Sequence, residues 1–369
     1  MATAYLLGVM ALSCPYPSNN TLPKAVWMSD YCLPPNHPPI GSPKIGVLLI
    51  ALGTPDGTDA KSVRRYLKQF LWDPRVIDVN RALWWLILNG IILNLRPRRS
   101  GKAYAKVWNK ELDESPLRTI TRAQAEGVAA RLASLPNVIV DWGMRYGNPS
   151  IESRVRALVE AGCDRVLVAP LYPQYAAATT ATANDETFRA LTKERWQPAV
   201  RTLPAWHDEP AYIQALAASV RAHLATLDWQ PETLVASFHG LPKRYLDLGD
   251  PYHCQCAKTA RLLREELGWA EDRFILSFQS RVGREEWLRP YTDEVFAELG
   301  QNGPKGIAVI TPGFTADCLE TLEEIAMTGE EQFHAAGGEQ FTFVPCLNDS
   351  ERHLALLEQL VRRELGGWI

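Results

Sequence analysis

The chain has 369 residues, of which 46% are hydrophobic and 22% are charged, and its formal net charge is −3. This length suffices for two domains with full cores, and the slightly acidic balance excludes a general nucleic-acid-binding protein, which would carry a basic face. The seven cysteines are scattered along the chain, which argues against a disulfide framework and favours reduced thiols in the cytoplasm.

Residues 1–43 differ in composition from the rest of the chain. Residues 5–13 are apolar, but this stretch is too short to span a bilayer and lacks the basic flank of a secretory signal. Residues 15–43 are rich in proline, asparagine and serine, a composition typical of disordered segments. We therefore expect a disordered N-terminal extension over residues 1–43.

The first predicted element of the fold is a strand at residues 44–52, whose nearly continuous apolar run indicates burial on both faces of a parallel sheet. The loop that follows, residues 53–57, contains two glycines but neither a GxGxxG pattern nor a Walker lysine. A loop that lets the backbone approach a flat ligand is therefore as consistent with the sequence as a phosphate-binding loop. Further strands are predicted at 138–142 and 165–169.

Residues 82–95 are the most apolar stretch of the chain, with Trp84 and Trp85 near its start and an arginine cluster at residues 96–99 after it. The stretch is too short for a transmembrane helix. It fits a helix of the core, and it equally fits a hydrophobic lip that contacts a membrane surface or a large apolar ligand. The sequence leaves both interpretations open.

The second half of the chain repeats the pattern of the first. Its apolar runs, predicted as strands, lie at residues 235–238, 274–278 and 306–310, and each ends in a polar or glycine-containing turn. Strands separated by helical segments indicate βαβ units and parallel sheets. We expect an α/β protein of two related domains, residues 44–210 and 211–369, whose strand ends line a cleft.

His239 follows a buried strand and precedes Gly240, so it lies where ligands bind in open α/β sheets. Asp317, Glu320 and Glu324 lie on one face of a helix predicted to begin at Thr315. A solvated acidic surface would show the same spacing. Because this helix also follows a strand of the second half, we favour a site where a histidine and carboxylates handle an iron-group metal transiently.

Several stretches, taken together and in order, resemble the ferrochelatases, the enzymes that insert ferrous iron into protoporphyrin IX. They are LLIALGTPDG, MRYGNPSIE, LYPQYAAATT, SFHGLPKRYLDLGDPY, SFQSRVGREEWLRPYTDE and PGFTADCLETLEEI. The resemblance runs from about Lys44 to the end of the chain, and the chain is similar to the ferrochelatases of proteobacteria. It implies two Rossmann-like domains that face each other across a porphyrin cleft.

The resemblance also implies roles for individual residues. His239 matches the histidine that binds iron or accepts pyrrole protons, and Glu320 matches the metal-site glutamate, with Asp317 and Glu324 as flanking acids. Residues matching those around the porphyrin are Tyr104, Arg145 and Tyr146. Residues 82–95 match the hydrophobic lip.

No cofactor is implied beyond the substrate Fe²⁺. Some ferrochelatases hold a [2Fe–2S] cluster, which needs four ligands, but Cys254-Gln255-Cys256 does not resemble their ligand pattern and no cysteine follows Cys346. We expect no cluster, protoporphyrin IX and ferrous iron as partners, and no nucleic acid. The expected location is the cytoplasm, with peripheral contact at the inner membrane through residues 82–95.

Other functions remain open at this point. A related chelatase would use coproporphyrin or cobalt, and a non-catalytic tetrapyrrole or metal carrier would use the same cleft without turnover. A periplasmic-type binding protein shares the sheet pattern but needs an export signal, which residues 1–43 do not provide.

Overall fold

The computed structural model describes Asn36 and residues 42–369. The predicted N-terminal extension lies outside the described residues apart from Asn36, Ser42 and Pro43. Its predicted disorder stays a prediction.

The described part of the chain alternates between strands and helices. The strands are β1 (Lys44–Thr54), β2 (Val138–Gly147), β3 (Cys163–Pro170), β4 (Ala199–Thr202), β5 (Thr233–His239), β6 (Phe274–Gln279), β7 (Gly306–Ile310) and β8 (Gln340–Val344). The α-helices are α1 (Ala60–Trp72), α2 (Arg81–Ile87), α3 (Leu93–Val107), α4 (Pro116–Arg131), α5 (Ile151–Glu160), α6 (Thr182–Leu191), α7 (Pro210–Leu224), α8 (Lys243–Asp247), α9 (Tyr252–Leu267), α10 (Thr292–Asn302), α11 (Glu330–Ala335) and α12 (Glu351–Glu364). A 3₁₀ turn occupies Glu271–Arg273, and π-helical segments occupy Leu88–Ile92, Ala177–Ala181 and Glu320–Gly329, the last of which we call the long π-helix.

The strands form two four-stranded parallel sheets, with the orders β2-β1-β3-β4 and β6-β5-β7-β8. In both sheets the first strand lies between the second and the third, and the fourth lies outside the third. The α/β class, the parallel sheets and the internal repeat are therefore confirmed. The domain boundary near Pro210 stays a prediction.

The central strands are apolar because helices cover both of their faces. In β1 every residue from Val47 to Ile50 is fully buried. One apolar cluster joins the two halves, since it includes Leu49 of β1, Phe238 of β5 and Leu360 of α12. The edge strands β4 and β8 are short and mostly half-buried, and the sequence analysis did not predict them.

The apolar stretch at residues 82–95 is divided between the core and the surface, and its contact with a membrane or a ligand stays a prediction. Leu88 and Leu93 are buried in the core, while Leu83, Trp85 and Leu86 are more than half exposed. The Trp84 side chain is anchored inward, because its indole Nε1 donates to the Leu71 carbonyl at 2.7 Å. None of the helices in residues 42–369 has the length and apolar character needed to cross a bilayer.

Candidate active site

His239 is the last residue of β5 and is half-buried. Its Nδ1 lies 2.6 Å from the Gly240 carbonyl, and because a carbonyl only accepts, Nδ1 must carry the proton. The other ring nitrogen, Nε2, then holds a lone pair in the neutral imidazole. This tautomer leaves Nε2 able to accept a proton or bind a metal. In metal-binding histidines the other ring nitrogen usually donates to a carbonyl or carboxylate in the same way.

Gly240 lets the chain turn directly after His239. A Cβ atom at this position would lie 2.7 Å from the Gln279 carbonyl oxygen and 3.1 Å from the Trp287 ring. A larger residue would therefore push β5 away from β6 at the point where His239 and Gln279 pair in register. The close approach of the two strand ends keeps His239 beside the residues that follow β6.

The segment that contains Asp317, Glu320 and Glu324 does not form the α-helix predicted to begin at Thr315. Thr315 does not cap a helix, because its hydroxyl donates to the Leu171 carbonyl at 2.9 Å, and Asp317 lies before the helical residues. The helix that carries Glu320 and Glu324 is the long π-helix, whose hydrogen bonds span five residues instead of four. The prediction of three carboxylates on one α-helical face is therefore wrong, because its geometry assumed 3.6 residues per turn.

Glu324 is held by the residue that follows β6. The Ser280 backbone N–H donates to one carboxylate oxygen at 2.7 Å and the Ser280 hydroxyl donates to the other at 2.6 Å. Burial raises the pKa of Glu324 and the negative charge of Glu320 adds to this rise, while the Ser280 hydrogen bonds and the His239 charge oppose it. His239, Glu320 and Glu324 thus lie close enough for their charges to act on one another.

Gln279 connects β6 to the start of the long π-helix. Its Nε2 donates to the Glu320 carbonyl at 2.9 Å, and its Oε1 accepts from the Ser237 hydroxyl at 2.9 Å. Sequence reasoning missed the roles of Gln279 and Ser280. The available signal was their position, because Gln279 closes β6 and Ser280 follows it, just as His239 closes the neighbouring strand β5.

Tyr104 brings the first half of the chain to this site. Its side chain is buried and meets the Tyr66 ring edge-on, with ring centroids 6.5 Å apart. Burial raises the pKa of Tyr104, and the negative charge of Glu320 raises it further. Nearby, the Lys106 ammonium pairs with Glu323 at 2.7 Å, so α3 is tied to the long π-helix.

Arg145 and Tyr146, at the end of β2, form a polar network behind the cleft. The Arg145 guanidinium lies 2.5 Å from the Asp73 carboxylate, and the Tyr146 hydroxyl donates to the same carboxylate at 2.8 Å. Burial alone would raise the pKa of Asp73, but the hydrogen bonds from Thr182 and Tyr146, with the Arg145 charge, hold it below its usual value. The Tyr146 side chain is fully buried, so its predicted contact with a porphyrin stays a prediction.

A cavity of about 380 Å³ opens beside the long π-helix. Three exposed cations, Arg99, Lys102 and Lys106, line it together with Glu323, Glu324, Ala103 and Thr328. The three cations lie at the edge of the acidic site, where they could pair with the carboxylates of a ligand. Within residues 42–369, no three or more His, Cys, Asp or Glu side chains are grouped closely enough to hold a metal ion by themselves.

Residues 44–365 match the family model for ferrochelatase. The chain is 61% identical over 337 residues to the ferrochelatase of Allorhizobium ampelinum, covering 91% of this chain and 98% of that relative. It is 62% identical over 333 residues to the ferrochelatase of Rhizobium meliloti, covering 90% of this chain and 98% of that relative.

Among solved structures, the fold is similar to the sirohydrochlorin chelatase SirB from Bacillus subtilis subspecies spizizenii in complex with cobalt. The TM-score is 0.52 at 13% identity, over 87% of this chain and 94% of that one. SirB from Bacillus subtilis with Fe³⁺ gives a TM-score of 0.50 at 13% identity, over 87% of this chain and 95% of that one. At this identity the similarity concerns the fold alone. The family model matches most of the chain, and the identity to curated relatives is high over almost their whole length. The chain therefore belongs to the ferrochelatase family.

Proposed function

We propose that this chain inserts Fe²⁺ into protoporphyrin IX to form protohaem, the last step of haem biosynthesis. Family membership supports the reaction, and one geometric observation supports its location. His239, with Nε2 free to accept a proton, pairs with Gln279 at the ends of β5 and β6, where Gln279 bonds to the Glu320 carbonyl and Ser280 bonds to the Glu324 carboxylate. The reaction exchanges two pyrrole N–H protons for one Fe²⁺ ion, so it needs a metal ligand and proton acceptors but no redox step.

His239 is the first proton acceptor in this proposal, because its Nδ1 donates to the Gly240 carbonyl and its Nε2 keeps a lone pair. Glu320 holds the iron as it enters, and Glu324 takes up the second proton. The raised pKa of Glu324 suits that task, since a carboxylate of ordinary pKa would hold a proton too weakly near neutral pH. Ser280 keeps the Glu324 carboxylate oriented toward the site.

The porphyrin is held by aromatic and cationic groups of the first half. Tyr104 provides a buried ring beside Glu320, and Arg99 and Lys102 can pair with the porphyrin carboxylates at the cavity mouth. Arg145 and Tyr146 support porphyrin binding indirectly, because through Asp73 they fix the end of β2 behind the cleft.

The proposed function is tested by a metal-insertion assay with excess substrate. Protoporphyrin IX and coproporphyrin are each offered with Fe²⁺, Zn²⁺ and Co²⁺, and formation of the metalloporphyrin is followed by absorbance. Multiple turnovers with Fe²⁺ and protoporphyrin IX are expected. A preference for coproporphyrin or Co²⁺ would indicate a sister chelatase, and binding without turnover would indicate a carrier.

Peripheral membrane contact is part of the proposal. The exposed side chains Leu83, Trp85, Leu86 and Leu95 lie on the lip, with Arg96, Arg98 and Arg99 close behind them in the sequence. An apolar patch beside cations suits the surface of an anionic bilayer.

We also propose that the enzyme carries no iron–sulfur cluster. A cluster needs four ligands, and in the part of the chain that the structure describes no three or more His, Cys, Asp or Glu side chains are grouped closely enough to hold a metal. Cys14 and Cys32 lie outside the described residues. Purified protein is expected to release no acid-labile sulfide, and stoichiometric sulfide would contradict this proposal.

A further inference from the structure

Asp317 is buried, with 7% of its surface exposed, and it faces Asn348 in the loop that follows β8. The two residues form a reciprocal pair. The Asp317 backbone N–H donates to the Asn348 side-chain oxygen at 2.8 Å, and the Asn348 side-chain nitrogen donates to the Asp317 Oδ2 at 2.7 Å. Each residue thus both donates to and accepts from the other.

The second carboxylate oxygen of Asp317 is also occupied. Oδ1 accepts from the Thr321 hydroxyl at 3.0 Å and from the Cys346 backbone N–H at 3.3 Å. The Thr321 hydroxyl in turn accepts from the Cys318 backbone N–H at 3.0 Å. Both oxygens are therefore engaged with the protein, and the contact through Thr321 reaches the residue next to Glu320.

Asn348 is itself fixed from two other elements. Its carbonyl accepts from the Gln124 side chain of α4 at 3.0 Å and from His353 Nδ1 of α12 at 2.5 Å. Its φ of 48° lies in the left-handed region, which asparagine adopts more readily than other non-glycine residues. Asn348 is thus anchored through both its backbone carbonyl and its side chain, which indicates a structural task for the side chain.

We propose that Asp317 and Asn348 are positioning residues that fix the start of the long π-helix, and through it Glu320, without contacting the iron. This inference deepens the proposed function and depends on it. An acid on the metal or proton path needs an oxygen open to the cleft, whereas the Asp317 oxygens are turned to Asn348, Thr321 and Cys346. What matters at position 317 is then a side chain complementary to position 348, not a negative charge.

Exchanging the two side chains tests this directly. Asp317→Asn alone sets amide donors against each other, and Asn348→Asp alone sets two carboxylates face to face. The double variant Asp317→Asn/Asn348→Asp restores one donor facing one acceptor and leaves an amide oxygen to accept from Thr321 and Cys346. Asp349→Asn, at the exposed neighbouring acid, is the matched control.

Each single variant is expected to raise the KM for the metal by about 10- to 100-fold, as loss of a ligand's supporting contact usually does. The KM for porphyrin should change little, and the double variant should recover most of the loss. A double variant as impaired as Asp317→Asn would show that the carboxylate itself is needed and would overturn the proposal. Lower melting temperatures with normal metal KM in all variants would also overturn it.

If one of these variants does not fold, Asn348→Gly replaces it in the test. Glycine adopts a φ of 48° without strain, so this variant removes only the side-chain contact. It should fold and show the raised KM for the metal, and a normal KM would contradict the proposal. Binding of Zn²⁺ alone, measured by calorimetry on the same proteins, gives a second readout. If neither the unmodified enzyme nor Asp349→Asn inserts metal, the proposed function is wrong. If both insert metal but the double variant does not recover, only this inference is wrong.

Discussion

His239 combines a fixed tautomer with a position at the meeting of two strand ends. Replacing it with alanine removes the nitrogen lone pair that accepts the pyrrole proton but little buried surface, because the side chain is only half-buried. We expect His239→Ala to abolish insertion while porphyrin binding and melting temperature stay close to those of the unmodified enzyme. His334→Ala, at an exposed histidine, is the control. Near-normal turnover of folded His239→Ala would show that another group accepts the proton.

Glu320 and Glu324 should respond differently to loss of charge. Glu320→Gln is expected to lose most turnover with little change in porphyrin affinity, because an amide neither binds Fe²⁺ well nor takes up a proton. Steady-state kinetics with metal and porphyrin varied separately check this. Equal and mild effects of Glu320→Gln and Glu324→Gln would indicate an ordinary solvated helix surface.

The ionised form of Glu324 lowers the free energy of unfolding, and a stability measurement can show this. Its pKa is raised above 4.5 in the folded state, so it stabilises the fold most at low pH and that contribution is lost as the pH rises through the folded pKa. Glutamine at this position can still accept from the Ser280 backbone N–H, while its amide donates to the Ser280 hydroxyl, and it never ionises. Glu324→Gln should therefore be at least as stable as the unmodified enzyme at pH 7, as measured by urea unfolding, although it turns over more slowly. A large loss of stability would mean that the carboxylate charge stabilises the fold.

At the scale of elements, residues 82–95 have some side chains buried in the core and others exposed, and the proposed membrane or porphyrin contact concerns the exposed ones. A triple change of Leu83, Trp85 and Leu86 to serine removes exposed apolar surface only. It should reduce co-sedimentation with anionic vesicles, or porphyrin uptake, with little change in melting temperature. Leu88→Ala is the contrasting variant, because truncating a buried leucine typically costs about 2–5 kcal/mol of stability. If the triple variant is destabilised as strongly as Leu88→Ala, its side chains belong to the core.

The elements also show how far the sequence could lead. Six strands were predictable from their apolar runs, and β1 is the clearest case, because a parallel strand covered on both faces must be continuously apolar. The motifs around His239, Glu320 and Tyr104 predict roles for these residues, and those roles stay predictions. The long π-helix could not be predicted, because its residues read equally well as an α-helix, and so Asp317 was placed on the wrong surface. Ser280 and Asn348 act through turns whose geometry depends on the neighbouring strand and loop.

At the scale of the whole molecule, His353 lies between the two halves and is fully buried against Trp206. Burial disfavours its charged form and lowers its pKa from 6.5 to about 4, although the nearby Asp349 opposes this. The stability that the neutral ring contributes is present above pH 6.5 and is lost as the pH falls toward 4. The loss amounts to about 3 kcal/mol, since one pKa unit corresponds to about 1.4 kcal/mol.

Unfolding free energies of the unmodified enzyme and His353→Gln between pH 7 and pH 4 check this expectation. The difference between the two proteins should shrink or reverse as the pH falls, because glutamine does not titrate. Parallel curves over the whole range would show that His353 does not contribute to acid sensitivity.

The buried tyrosines have an optical consequence. Tyr66, Tyr104 and Tyr172 have pKa values well above 10, chiefly because burial disfavours the phenolate. Tyr146 behaves in the same way beside Asp73. In an alkaline titration these phenols stay neutral while the interior is closed, and they ionise only when water reaches them. Late, cooperative growth of phenolate absorption in the ultraviolet therefore reports the opening of the protein interior around the cleft, without any added label.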